Sequence, residues 1–224
     1  MFIGHFAVGL AAKRVAPNAS LGALIAAPLL LDLLWPIFLL LGWERVRIQP
    51  GITAFNDLVL EHYPWSHSLV MSIVWAAAFA GLYWSRTRYR AGAIAIAAGV
   101  VSHWVMDWIT HRPDLPLYPG GEQLFGLGLW NAPTATIAVE SLLLVGAVWL
   151  YSRTTRALDP VGRFAFWSFV GLLALFYTAD ALSSAPSPPP PALAWGALIG
   201  WVFPLWAWWF DRHRAAGIRH ERTS

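Results

Sequence analysis

His103, Asp107 and His111 follow one another at four-residue intervals, at the close of an apolar segment that begins at Ala91. On an α-helix each such step turns the side chain only about 40° further round the axis, so the three form one polar stripe on a greasy rod. Placing ionisable groups in a membrane costs several kcal/mol, which marks them as functional positions. Residues of the same chemistry recur elsewhere. His62 and His67 lie in Glu61-His62-Tyr63-Pro64-Trp65-Ser66-His67-Ser68, Asp32 sits among leucines between Pro28 and Pro36, and His5 and Glu140 lie in further apolar stretches. There is no cysteine, so thiolate sites and disulfides are excluded. Imidazole with carboxylate suits zinc, and also manganese or iron. A zinc ion lowers the pKa of a water bound to it toward about 7.

The elements that must position these groups are membrane helices. Of 224 residues, 58% are hydrophobic and 12% charged, with a mean hydropathy of +0.53. A soluble domain of this length carries about twice that charge fraction. The expected fold is all-α, a polytopic helix bundle. Six segments are long enough to span a bilayer, near Ser20–Gly42, Trp65–Trp84, Ala91–His111, Ala132–Tyr151, Arg163–Ser183 and Ala192–Phe210. Met1–Ala12 reaches only about 18 Å and reads as a half-helix or re-entrant segment. A single integral membrane domain is expected, with the site in residues 1–151, packing helices in 163–210 and a basic tail in 211–224. No signal peptide is expected, because Lys13 and Arg14 follow the first apolar stretch rather than precede it.

Arginine and lysine set the expected orientation. Twelve of the 15 lie in the N-terminal flank, 85–90, 152–163 and the tail; only Arg45, Arg47 and Arg112 lie in the other connections. Alternate loops are therefore basic, which places both termini in the cytoplasm of an inner-membrane protein, expected to be bacterial. Basic residues spread over loops in this way do not form a nucleic-acid surface. The proline run 187–191 reads as a stiff connector. Loop 112–131, rich in Pro and Gly, is long enough to cap a site.

That topology puts Asp107 about 6 Å and His103 about 12 Å below the outer end of the third span. His67 falls in the first turn of the second span, with Pro64 at its start and His62 just outside. Glu140 reaches a similar depth in the fourth span and Asp32 the middle of the first. The ionisable groups of the first four spans thus converge in the outer half of the bundle. Blander accounts exist for several. His62 and His111 can serve as helix-to-helix hydrogen-bonding residues, with His111 at the rim, and His5 can be an interfacial histidine. Asp107 can orient His103 rather than ligate, and Asp180 can be a local cap.

Gly4-His5 with Gly9 following, Asp32, Trp65-Ser66-His67-Ser68 and Ser102-His103-xxx-Asp107 together resemble the bacterial membrane-bound metal-dependent hydrolase family. That family includes a LexA-regulated inner-membrane member and is distantly related to zinc-dependent phospholipase C. The resemblance covers roughly residues 1–151 and implies that His5, Asp32, His67, His103 and Asp107 are metal ligands or site residues. Leu30 stands where the family often has a second acid in a Pro-Asp-x-Asp element, and the stretch from Thr110 to Gly121 is particular to a subgroup. Membrane ceramidase-like hydrolases offer a chemical precedent, although the His-xxx-His pair of their late span is missing here.

The expected function is a metal-dependent hydrolase, zinc being the first choice of metal, acting on a lipid or lipid-linked phosphoester at the outer leaflet. His67, His103 and Asp107 lead as ligands, with His5, His111 and His62 as further candidates and Asp32 or Glu140 as ligand or base. Arg112 can steady an anionic head group or pair with Asp114. The expected partners are membrane lipids, not nucleic acid. Two alternatives stand beside this one. The same groups can serve a metal-ion or proton transporter or channel, with Pro28 and Pro36 breaking the helix as in transporters. They can also serve a structural protein whose polar residues only hold helices together.

Overall fold

Long apolar runs form helices here because a backbone in hydrocarbon must satisfy its own hydrogen bonds. The computed structural model describes residues 1–183 and 187–217. Arg219, His220 and Arg222 of the expected basic tail lie outside the described residues. In chain order the helices are α1 (Ile3–Ala12), α2 (Leu21–Leu40), the single turn α3 (Pro64–His67), α4 (Leu69–Thr87), α5 (Arg90–Thr110), α6 (Pro133–Thr154), α7 (Pro160–Ala181), α8 (Pro190–Ala197) and α9 (Val202–Asp211). A 3-10 turn, Leu198–Trp201, joins the last two into one span. Among the described residues six segments are long and apolar enough to cross a membrane, and α1 is too short to do so.

Helix α1 is nevertheless buried, with Ile3, His5, Phe6 and Leu10 packed inside the bundle. Its N-terminal N–H groups would be orphaned there. Glu140 of α6 meets them: its Oε2 accepts from Phe2 N at 2.9 Å and Gly4 N at 3.1 Å. Gly9 brings α1 against α2, since a Cβ there would lie 2.8 Å from both Leu24 O and Ile25 Cα. Gly99 does the same for α5, where a Cβ would lie 3.1 Å from the Ala27 methyl. A core of Phe6, Leu10, Ile25, Tyr151, Phe166, Phe169 and Phe210 joins α1 and α2 to α6, α7 and α9. A second core, with Leu24, Leu31, Ile96 and Val100, holds α2 to α5.

The connections near the histidines are more ordered than loops. β1 (Arg45–Ile48) and β2 (Leu58–His62) form an antiparallel hairpin between α2 and α3. The second span begins later than Trp65. The backbone turns extended at Ser68, whose Oγ caps α4 by accepting from Met71 N at 3.3 Å. His67 therefore ends a separate turn instead of sitting inside the span. Loop 112–131 folds back over the end of α5. Its strands β3 (Leu115–Pro116) and β4 (Leu124–Phe125) pair, and Leu127 N and Gly128 N donate to Trp108 O and His111 O, each at 2.7 Å.

Candidate metal centre

Four of the expected residues meet at one point. His67 Nε2 and His103 Nε2 are 3.3 Å apart. Asp32 Oδ1 lies 3.4 Å from the first and 3.7 Å from the second. Asp107 Oδ2 lies 3.9 Å from His67 Nε2 and 3.0 Å from His103 Nε2. A tetrahedron of ligands at zinc's bond lengths has edges of about 3.3–3.4 Å, and these five distances bracket that length. His111 Nε2 adds a further contact to Asp107 Oδ2 at 3.5 Å.

The outward nitrogens of the histidines explain why their Nε2 atoms converge. His103 Nδ1 donates to the Pro28 carbonyl at 2.6 Å. His67 Nδ1 donates to Ser66 Oγ at 2.7 Å, and that hydroxyl donates to Glu44 Oε2 at 2.7 Å. His111 Nδ1 donates to Asp114 Oδ1 at 3.0 Å, an oxygen that also accepts from Tyr63 OH at 2.9 Å. An imidazole with its proton committed at Nδ1 presents a lone pair at Nε2. In the neutral imidazoles three such lone pairs would face two carboxylate oxygens. Acceptors held together in this way repel unless a cation lies among them, and a histidine whose other nitrogen is tied to a carbonyl or carboxylate is the usual arrangement of a metal ligand. The donor set fits a divalent metal.

His5 occupies a second side of Asp107. Its ring stacks on His103 at 3.8 Å, its Nε2 lies 3.1 Å from Asp107 Oδ1, and its Nδ1 has no partner among the described residues. His5, His103 and Asp107 form one potential ligand group, and Asp32, His67 and His103 another. The Met1 ammonium also reaches Asp107 Oδ1, at 2.5 Å. His103 is fully buried and Asp107 nearly so, whereas 47% of the Asp32 side chain is accessible. The cluster is therefore approached from the side of Asp32.

Helix α2 is unusual at this point. Pro28 cannot donate to Leu24 O, nor Pro36 to Asp32 O, so the backbone loses a helical bond one turn either side of the acid. Other expected residues land differently. His62, at the end of β2, pairs in register with Arg45 and does not join the cluster. His111 is buried under Trp130 rather than at the rim, the ring centroids 4.1 Å apart. Glu140 holds α1 with one oxygen, while Oε1 has no partner among the described residues. Arg112 donates to Asp114 at 3.2 Å, which ties it to the loop.

Sequence reasoning missed Glu44, Ser66 as a link, Tyr63, and Asp114 as the partner of His111 in addition to its expected partner Arg112. Burial pushes the Glu44 carboxyl above its ordinary pKa, and burial with Asp114 alongside pushes the Tyr63 phenol well up. The stretch Trp-Ser-His-Ser signals Ser66, but nothing local links it to Glu44 twenty-two residues earlier. A family model described as YdjM inner membrane protein matches residues 1–182. No curated protein and no solved structure matches the chain.

Proposed function

The chain belongs to the YdjM inner membrane protein family, and from that premise and the geometry of its histidines we propose that it is a metal-dependent hydrolase. Its substrate would be a lipid or lipid-linked phosphoester in the outer leaflet, with both termini in the cytoplasm. The observation that carries the reading is the convergence of three Nε2 atoms and two carboxylates, each imidazole held by an acceptor at Nδ1. His67, His103 and Asp107 would hold the metal, zinc by their chemistry, leaving a position open for water, with Asp32 as the base and His111 and His5 beside them. A bound divalent metal supplies Lewis-acid polarisation of a phosphoryl oxygen and acidifies water.

The protein's own residues do the rest. The Glu44–Ser66 and Asp114 contacts fix ring orientation, and Asp32, as the accessible acid, can take a proton from an incoming water. Burial around His103 and Asp107 excludes bulk water from the far side. Conduction of ions would need polar groups through both halves of the bundle. Between this cluster and the opposite end, the described core of α1 and α2 is lined by Phe6, Leu10, Leu21 and Ile25, which favours the enzyme.

The test is elemental analysis of the detergent-purified protein beside His67→Ala and Asp107→Ala. One or two equivalents of transition metal are expected in the wild type and none in Asp107→Ala, with release of phosphate or head group from lipid phosphoesters stopped by chelator. A wild type without stoichiometric metal after reconstitution overturns the reading.

A further inference from the structure

The other end of the bundle carries a cleft of different chemistry. A groove of about 1170 Å³ lies between the end of α6 and the turn after α1, with Arg14, Ser152, Arg153 and Arg156 on its walls and Gly217 at its edge. A second groove of about 410 Å³ shares Arg14, Arg153 and Thr154 with the first and adds Trp149 and Leu150. One end of the combined cleft is therefore cationic and the other apolar.

Three observations define what fits there. First, no described carboxylate lines either groove, and none of Arg14, Arg153 and Arg156 has an ion-pair partner among the described residues. The basic residues that do pair with an acid, Lys13, Arg47 and Arg112, all lie outside the two grooves. Second, Leu142, Val145 and Trp149 are exposed on α6 at helical spacing, and Arg153 continues that face one turn on. The apolar surface of a membrane helix thus runs straight into the guanidinium of Arg153, which lies over the Trp149 ring at 5.6 Å. Third, Trp and Arg at the end of a span mark the interfacial layer, where lipid head groups sit.

We propose that this cleft binds an anionic phospholipid, its phosphate among Arg14, Arg153 and Arg156 and its acyl chains along Leu142, Val145 and Trp149. The absence of a lining carboxylate selects against head groups that carry an ammonium. The site shares no residue with the metal centre, and about 21 Å of α6 separate Thr154 of the cleft from Glu140, which holds α1 at the histidine end.

Native mass spectrometry of the full chain in detergent, titrated with phosphatidylglycerol, phosphatidylcholine or inorganic phosphate, tests this. Phosphatidylglycerol should bind and phosphatidylcholine should not. Arg14→Gln/Arg153→Gln/Arg156→Gln should weaken phosphatidylglycerol by roughly fivefold per arginine, about a hundredfold in all. Arg86→Gln/Arg88→Gln/Arg90→Gln removes equal charge from another basic connection and should leave binding unchanged. Replacing the three groove arginines by lysine retains the charge and should retain much of the affinity, which separates lost binding from lost folding. Equal losses in the two glutamine variants, or equal binding of phosphatidylcholine, overturn the proposal. Displacement of the lipid by millimolar phosphate overturns the lipid assignment in favour of a free anion.

Discussion

Buried charge is handled in opposite ways at the two ends of this bundle. At the basic end, Lys13 Nζ donates to Asp211 Oδ2 at 2.6 Å and to Ala19 O at 2.7 Å. The same carboxylate accepts from Leu21 N at 2.9 Å and Tyr151 OH at 3.0 Å. One cation meets one anion, and the carboxylate's other contacts are donors. At the histidine end, Asp32, Asp107 and Glu140 face a single described ammonium, and the imidazole lone pairs add to the excess of acceptors. Burial alone does not mark function, since Asp211 and Asp107 are both buried. The difference is that the first network pairs its charges, whereas the second gathers ligand atoms that could hold a metal ion.

The largest effect on stability should come from breaking the paired network. Lys13→Met strands the Asp211 carboxylate in the interior and should cost about 3–5 kcal/mol. It should leave metal content unchanged in whatever protein folds, since Lys13 touches none of the cluster. Lys13→Met/Asp211→Leu removes both charges and should recover most of the loss. Thermal unfolding in detergent, read beside elemental analysis, checks both. Metal loss from Lys13→Met, or no recovery in the double variant, would erase the distinction between the two ends.

How much of this was legible in the sequence follows from which contacts are local. The six spans and the His103–Asp107 pair are set by composition and helical spacing, and both appear as read. The meeting of His67, Asp32 and His5 with that pair was expected from depth, His67 lying at the start of its span, Asp32 at the middle of the first and His5 in the short N-terminal segment. The break at Ser68 was not read, because Pro64 is a good first residue for a helix and hides the better cap four residues later. The hairpin was missed although Arg45-Val46-Arg47-Ile48 alternates charged and apolar residues, the period of a strand. His62 lies just outside the turn that holds His67, as expected, but at the end of β2 it pairs with Arg45 and does not join the cluster. Glu44 to Ser66 and Glu140 to Gly4 are set by tertiary packing between distant segments, which periodicity does not report.

A finer test concerns the contacts that orient the histidines. Ser66→Ala removes the acceptor for His67 Nδ1 and leaves Glu44 without its hydroxyl donor. The imidazole ring is then free to turn. Loss of such an outer contact weakens metal binding by about 10–100-fold, measurable by competition with a chelator of known affinity. Affinity equal to wild type would mean that packing alone holds the ring.

The smallest effect belongs to Arg112, and its size is informative because two roles predict different readouts. Its side chain is 31% exposed, and its Nε donates to an Asp114 that is also served by His111 and Tyr63. Removing it leaves those two donors in place, so Arg112→Gln should lower stability by no more than about 1 kcal/mol and leave metal content intact. If Arg112 also meets the head group of an anionic substrate, the variant would raise KM for that substrate at constant kcat. A change in KM without a change in unfolding temperature would extend the histidine-end network outward to its substrate. An unchanged KM would confine Arg112 to the loop, with the metal cluster itself as the acceptor of the phosphoryl charge.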